Sequence, residues 1–182
     1  LGYPAITTRD KYLSFGEVRY LKTYLGNEVE CSILNANFKG HKEIGNRYVE
    51  DIKVTFDDMQ LAEKIYLNPI MIDPKTENPF KLKERNYPID IAYPINETVI
   101  FKFVIPEGYQ VVDMPENLVV KIPDGTANYR YVIEQKDNTI QLLSKLKLSK
   151  SVYSPTEYHG LKELFDKIIE KQAQQIVLKK DA

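Results

Sequence analysis

The stretch from residue 98 to residue 148 constrains the fold most. TVIFKFVI, YQVVD, NLVVKI, NYRYVIE and TIQLLSKLKL follow one another there, parted by Pro106-Glu107-Gly108, Met114-Pro115-Glu116, Pro123-Asp124-Gly125 and Lys136-Asp137-Asn138. Apolar residues alternate within the runs, with Phe101, Phe103 and Ile105 on one face, and turn residues close each run before a helix has room to form. Short strands at intervals of about 8 to 12 residues, with no crossover helix between them, predict antiparallel pairing and a sandwich. EVECSIL (28–34, with Val29, Cys31 and Ile33 on one face), YVEDIKVTF (48–56, with Ile52, Val54 and Phe56) and LAEKIYL (61–67) extend the pattern upstream.

The period changes at Ser154-Pro155-Thr156-Glu157. Serine suits the cap, proline the first helical position, and Glu157 the return bond of a capping box. Tyr158, Leu161, Leu164, Phe165, Ile168, Ile169 and Ile176 then recur at spacings of three and four, with charges opposite, which predicts an amphipathic helix over 155–174. Gly160 weakens it by about 1 kcal/mol relative to alanine, so packing must outweigh propensity. The fold class expected is mainly all-β: an antiparallel β-sandwich, immunoglobulin-like in general architecture, over residues 28–182 and closed by that helix. Residues 1–27 form a separate N-terminal segment, extended or briefly helical. Its Tyr12, Phe15, Tyr20 and Tyr24 either belong to the domain's own core or make a seam toward another domain or partner.

A chain of 182 residues is long enough to bury a core. Its 25 basic and 26 acidic side chains give a net charge of −1, which supplies no overall field for nucleic acid or an anionic membrane. No apolar run approaches the ~20 residues of a membrane-spanning helix. The chain begins Leu-Gly without methionine, as a processed chain or excised piece does. One cysteine excludes an internal disulfide and a thiolate metal cluster.

Cys31, His41 and Asp51 have the residue order of a thiol triad, but Cys31 lies on the apolar face of an alternating strand, without a cationic neighbour to lower its pKa. His41 and His159 are far apart and neither belongs to a ligand-spaced pair, and no glycine-rich phosphate cradle is present. The reading is therefore of no catalytic residue, no metal site and no cofactor. Asn96-Glu97-Thr98 fits a glycosylation acceptor by a pattern too short to carry weight. Thirteen tyrosines without tryptophan suit ordinary strand positions or, alternatively, a carbohydrate-binding face. Residues 78–97, with Glu84, Arg85 and Asp90, read as a proline-shaped elbow held by local bonds, with Tyr87 and Ile89 anchored inward, rather than as a carboxylate pair.

Three segments, KIYLNPIMIDPKTENPFKLKERNYPIDIAYPINET, IPEGYQVVDMPENLVVKIPDG and LSKSVYSPTEYHGLKELFDKIIEKQAQQIVLKK, together resemble a C-terminal domain of unknown function appended to bacterial transglutaminase-like proteins. The resemblance covers roughly residues 64 to 180. It implies an all-β accessory domain following a transglutaminase-like core in proteins typically exported by Gram-negative bacteria, hence a periplasmic or otherwise exported location. Its partner would be another domain of the same protein or a protein or peptide, and not nucleic acid. Thr8 to Gly16 looks like the end of such a core, where relatives often read D-A-T-D-x-Y-x-P-F-G. Thr7 then stands at the place of the core's catalytic acid.

Overall fold

The structure, a computed structural model, describes residues 3–16, 20, 32–40, 42, 46–56, 62–71 and 74–181. It comprises two compact units, Leu1–Leu61 and Ala62–Ala182. In the first, helix α1 (Tyr3–Phe15) accompanies a hairpin of β1 (Ser32–Lys39) and β2 (Val49–Thr55), paired antiparallel with a bulge between Ile33 and Asn35. The N-terminal segment thus contains a helix. Arg9, 3% exposed, donates from Nε to the Gly40 carbonyl at 2.8 Å and from its terminal nitrogen to the Asn46 carbonyl at 2.6 Å. Gly40 has φ +71, and a Cβ there would meet the Arg47 carbonyl oxygen at 2.3 Å, so only glycine fits where the chain folds back. Both β1 and β2 lie upstream of the division at residue 61, whereas the sequence reading grouped them with the later strands.

The second unit holds β3 (Lys64–Leu67), β4 (Ile89–Asp90), β5 (Ile95–Val104), β6 (Tyr109–Asp113), β7 (Leu118–Lys121), β8 (Ala127–Lys136), β9 (Thr139–Leu148), β10 (Val152–Tyr153), helix α2 (Tyr158–Gln172) and β11 (Ile176–Lys180). The strands form a four-stranded sheet β5-β9-β8-β7, a three-stranded sheet β3-β11-β6 and a short β10-β4 pair, all antiparallel. The fold is therefore mainly β with antiparallel sheets and one C-terminal amphipathic helix, as the alternation and turn spacing predict. Odd positions of β8 and even positions of β9 point inward: Tyr129, Tyr131, Ile133, Ile140, Leu142, Leu146 and Leu148 are all buried. Helix α2 packs against β7 and β8 with Leu161, Leu164, Phe165 and Ile168 buried. Each such side chain contributes about 1.5–3 kcal/mol relative to exposure. Gly160 lets the helix come close, since a Cβ there would stand 3.2 Å from Ile122 Cγ2.

The entry to α2 forms as the sequence predicts. Pro155–Glu157 make a single 3-10 turn, and Glu157 accepts from the Ser154 backbone N–H at 2.8 Å. Lys150 Nζ reaches both Asp124 and Glu157 at 2.7 Å. Its ammonium holds both carboxyls below their ordinary range, and they in turn raise the lysine.

Two expectations are corrected. The helix stops at Gln172, and Ile176, counted on its apolar stripe, begins β11, where it and Leu178 are fully buried. Seven residues after Ile169, Ile176 matches the helical period. The strand nevertheless pairs on both sides, with β3 and β6, and that burial overrides the period. Tyr87 is 78% exposed rather than anchored, while Ile89 is buried. The loop is secured otherwise. Phe80 sits edge-on to Tyr158 and Phe165, with ring centroids 5.8 and 5.2 Å away, and Tyr158 Oη and Lys162 Nζ donate to the Leu82 carbonyl.

Candidate functional site

The most concentrated polar chemistry lies beneath the four-stranded sheet. Inward positions on β8 and β9 place the Tyr129 hydroxyl 2.9 Å from Ser144 Oγ, and Gln172, in the last turn of α2, points its amide nitrogen at the same phenol at 3.5 Å. The Gln172 side-chain oxygen accepts from the Lys75 backbone N–H at 2.7 Å, and its carbonyl accepts from Asn68 at 3.1 Å. Lys75 Nζ lies 3.5 Å from Glu97 at the edge. The cavity among these groups, about 20 Å³, is the size of a single water. Burial raises the Tyr129 phenol above its ordinary pKa, so at neutral pH it is a protonated donor and cannot serve as the base that a serine nucleophile needs. What these bonds accomplish is attachment: they tie Asn68 and Lys75 to the end of α2. A second, open groove of about 380 Å³ runs past Met114, Glu116 and Gln175. Its lysine, Lys171, is engaged by the Glu116 carbonyl and Gln174.

Of the aromatic quartet singled out in the sequence, Tyr12 and Tyr20 come together. Their ring centroids are 5.7 Å apart, and both meet Phe38 of β1, at 4.6 and 5.9 Å. Tyr20 is 3% exposed, and its hydroxyl, like that of Tyr48, donates to Glu50. Phe15 is 40% exposed, and Tyr24 lies outside the described residues. Cys31 and His41 lie outside them too, while Asp51 is exposed on β2 and His159 is exposed on α2. Thr7 lies on α1. Among the described residues no group of three His, Cys, Asp or Glu side chains is placed to hold a metal.

The elbow residues serve the backbone. Arg85 donates to the carbonyls of Tyr87 and Pro88 at 3.2 and 3.3 Å, and Asp90 accepts from the Ala92 N–H at 2.7 Å, supporting a residue with φ 65. Glu84 is exposed.

A different surface stands out, and the sequence reading missed it. The outward face of the four-stranded sheet carries Ile100, Val104 and Val119, which are 66%, 64% and 69% exposed. Register places Ile100 opposite Leu143, and Leu143 opposite Val132, so an apolar row crosses three strands on the solvent side. In the adjoining row Lys145 faces Arg130, the next row holds Lys147 and Lys121, and Lys102 lies on the other side of the apolar row, level with Glu134. The signal for this surface was present in TVIFKFVI, where Ile100 and Val104 fall on the face opposite Phe101 and Phe103. Apolar residues on both faces depart from the apolar-in, polar-out alternation usual for an antiparallel strand with one solvated face.

A comparison with curated proteins returns no match. A crystal structure from Parabacteroides distasonis ATCC 8503, described as that of "a putative protease", is similar at TM-score 0.46 and 18% identity, over 54% of this chain and 19% of that one. The chain spans about a fifth of that protein's length. The family described as a Domain of Unknown Function with solved-structure structure (DUF3858) matches over residues 63–178, and the chain belongs to it.

Proposed function

We infer that this chain is a non-catalytic accessory domain, structural or protein-recognising, of a transglutaminase-like protein of the cell envelope. The observation that carries the reading is the outward sheet face. Ile100, Val104 and Val119 are left to solvent there, around the half-buried Leu143 and Val132, on a four-stranded platform, an arrangement by which a domain docks against another domain or a protein. The Tyr129, Ser144 and Gln172 side chains beneath the sheet are occupied in holding strands, loop and helix together, and the family resemblance supplies the transglutaminase-like, exported context. The carbohydrate-binding alternative has less to stand on. Tyr20, Tyr109, Tyr129, Tyr131, Tyr153 and Tyr158 are buried, and the markedly exposed Tyr66 and Tyr87 sit on a strand and a separate loop.

The expected outcome is that the chain by itself incorporates no amine into glutamine substrates and cleaves no peptide. A rate that disappears in Cys31→Ala or Ser144→Ala would overturn the accessory reading. Glycan binding at micromolar strength that is lost in Tyr66→Ala and Tyr87→Ala would replace it with the carbohydrate-binding one.

A further inference from the structure

We propose that the outward face of the four-stranded sheet recognises an acidic polypeptide face, one that presents carboxylates and an apolar residue at β spacing. The proposal rests on the accessory reading above and names the chemistry of the partner. Arg130 and Lys145 are direct cross-strand partners. Two cations at about 5 Å across a strand pair oppose folding unless something offsets them. Lys147 follows Lys145 two positions along β9 and shares its row with Lys121 of β7, while Lys102 of β5 stands beyond the apolar row, in one row with Gln141 and Glu134. Among the described residues no ion pair engages any of these five, although ion pairs form elsewhere on the chain.

The chain as a whole is close to neutral, at −1, so this concentration of positive charge is local. Along β9 the outward series Lys147, Lys145, Leu143 repeats at about 6.8 Å, the interval between alternate side chains of an extended chain. Two carboxylates followed by an aliphatic residue on one face of a partner strand would match it. The apolar row Ile100, Leu143 and Val132 continues that contact across the sheet. A nucleic acid or lipid phosphate would answer the charges and leave the aliphatic row without a counterpart that fits its line.

The test uses the whole chain and a labelled synthetic peptide repeating Glu-Thr-Glu-Thr-Val-Thr, with Gln and Lys in place of Glu as controls. Binding of the glutamate peptide is expected to shift the resonances of Ile100, Leu143 and Lys145 and to weaken with salt. Ile100→Ser should weaken it severalfold, and Arg130→Glu about tenfold or more. Arg130→Glu sets an opposite charge against Lys145, so it should fold at least as well as the parent, and its loss of binding cannot be loss of fold. Equal binding of the glutamine peptide, indifferent to Arg130→Glu, would sink the acidic-partner inference and leave the accessory reading intact. Stronger binding to single-stranded DNA or to phosphatidylglycerol vesicles would sink it too. Cleavage of the peptides by the chain would instead defeat the accessory reading itself.

Discussion

At the scale of single residues, Tyr129 and Tyr131 make a controlled pair. Both project inward from β8 and both are essentially unexposed. The Tyr129 hydroxyl bonds Ser144, whereas the Tyr131 hydroxyl is buried with no hydrogen-bond partner among the described residues. Removing a satisfied buried hydroxyl costs about 1 kcal/mol, while removing an unsatisfied one relieves a desolvation penalty of about 1–3 kcal/mol. Tyr129→Phe should therefore lower stability and Tyr131→Phe raise it, with opposite shifts of the urea midpoint. Both variants destabilising to the same degree would show that the Tyr131 hydroxyl has a partner after all. The alternation of NYRYVIE put both tyrosines on one face, but no local pattern distinguishes a bonded phenol from an orphaned one, because Ser144 lies on another strand. Arg9 makes the same point. Nothing in Thr8-Arg9-Asp10 marks the arginine as interior, yet it is buried against two carbonyls from a turn more than thirty residues away.

At the scale of elements, what could be read depended on whether the cause was local. The capping box at Ser154 was legible because cap, proline and glutamate are consecutive. The second half of that junction, Lys150 bridging Asp124 and Glu157, joins residues from separate turns and was not. The bridge gives the junction a pH signature. Both carboxyls are held below their ordinary range, chiefly by hydrogen bonds from Lys150. The stability they add is present above the unfolded carboxylate range of about 4 and is lost as pH falls through the lower, folded values. Thermal melts should thus fall with acidification below about pH 4 more steeply in the parent than in Lys150→Met. Matching slopes would mean that solvent screens the bridge to insignificance. Strand β11 shows the opposite limit of local reading. Its five residues followed a helix with a compatible period, and only partners more than sixty residues upstream make it a strand. It is the middle strand of β3-β11-β6, so removing residues 176–182 leaves two edge strands without a centre. That truncation is expected to abolish the cooperative unfolding transition, and a variant that still melts cooperatively near the parent temperature would refute the central role.

At the scale of the whole molecule, the division at residue 61 is a claim about independence. All three sheets of the second unit, helix α2 and the core side chains from Ile65 to Leu178 lie within Ala62–Ala182. The family match, 63–178, falls inside the same limits. The first unit has a nucleus of its own in Tyr12, Tyr20 and Phe38, with Arg9 fastening helix to hairpin. Sequence reasoning drew its boundary at residue 27 because β1 and β2 alternate as the later strands do, and alternation reports a half-buried strand without naming the core that buries it. A chain of residues 62–182 should accordingly fold alone, with dispersed amide resonances and a melting temperature within a few degrees of the corresponding transition in the full chain. That follows if the second unit draws its stability from its own burial, at about 25 cal/mol per Å² of apolar surface. A collapsed spectrum, or a large fall in that temperature, would show that the second unit depends on the first. The outward sheet face would then have to be judged on the full chain alone.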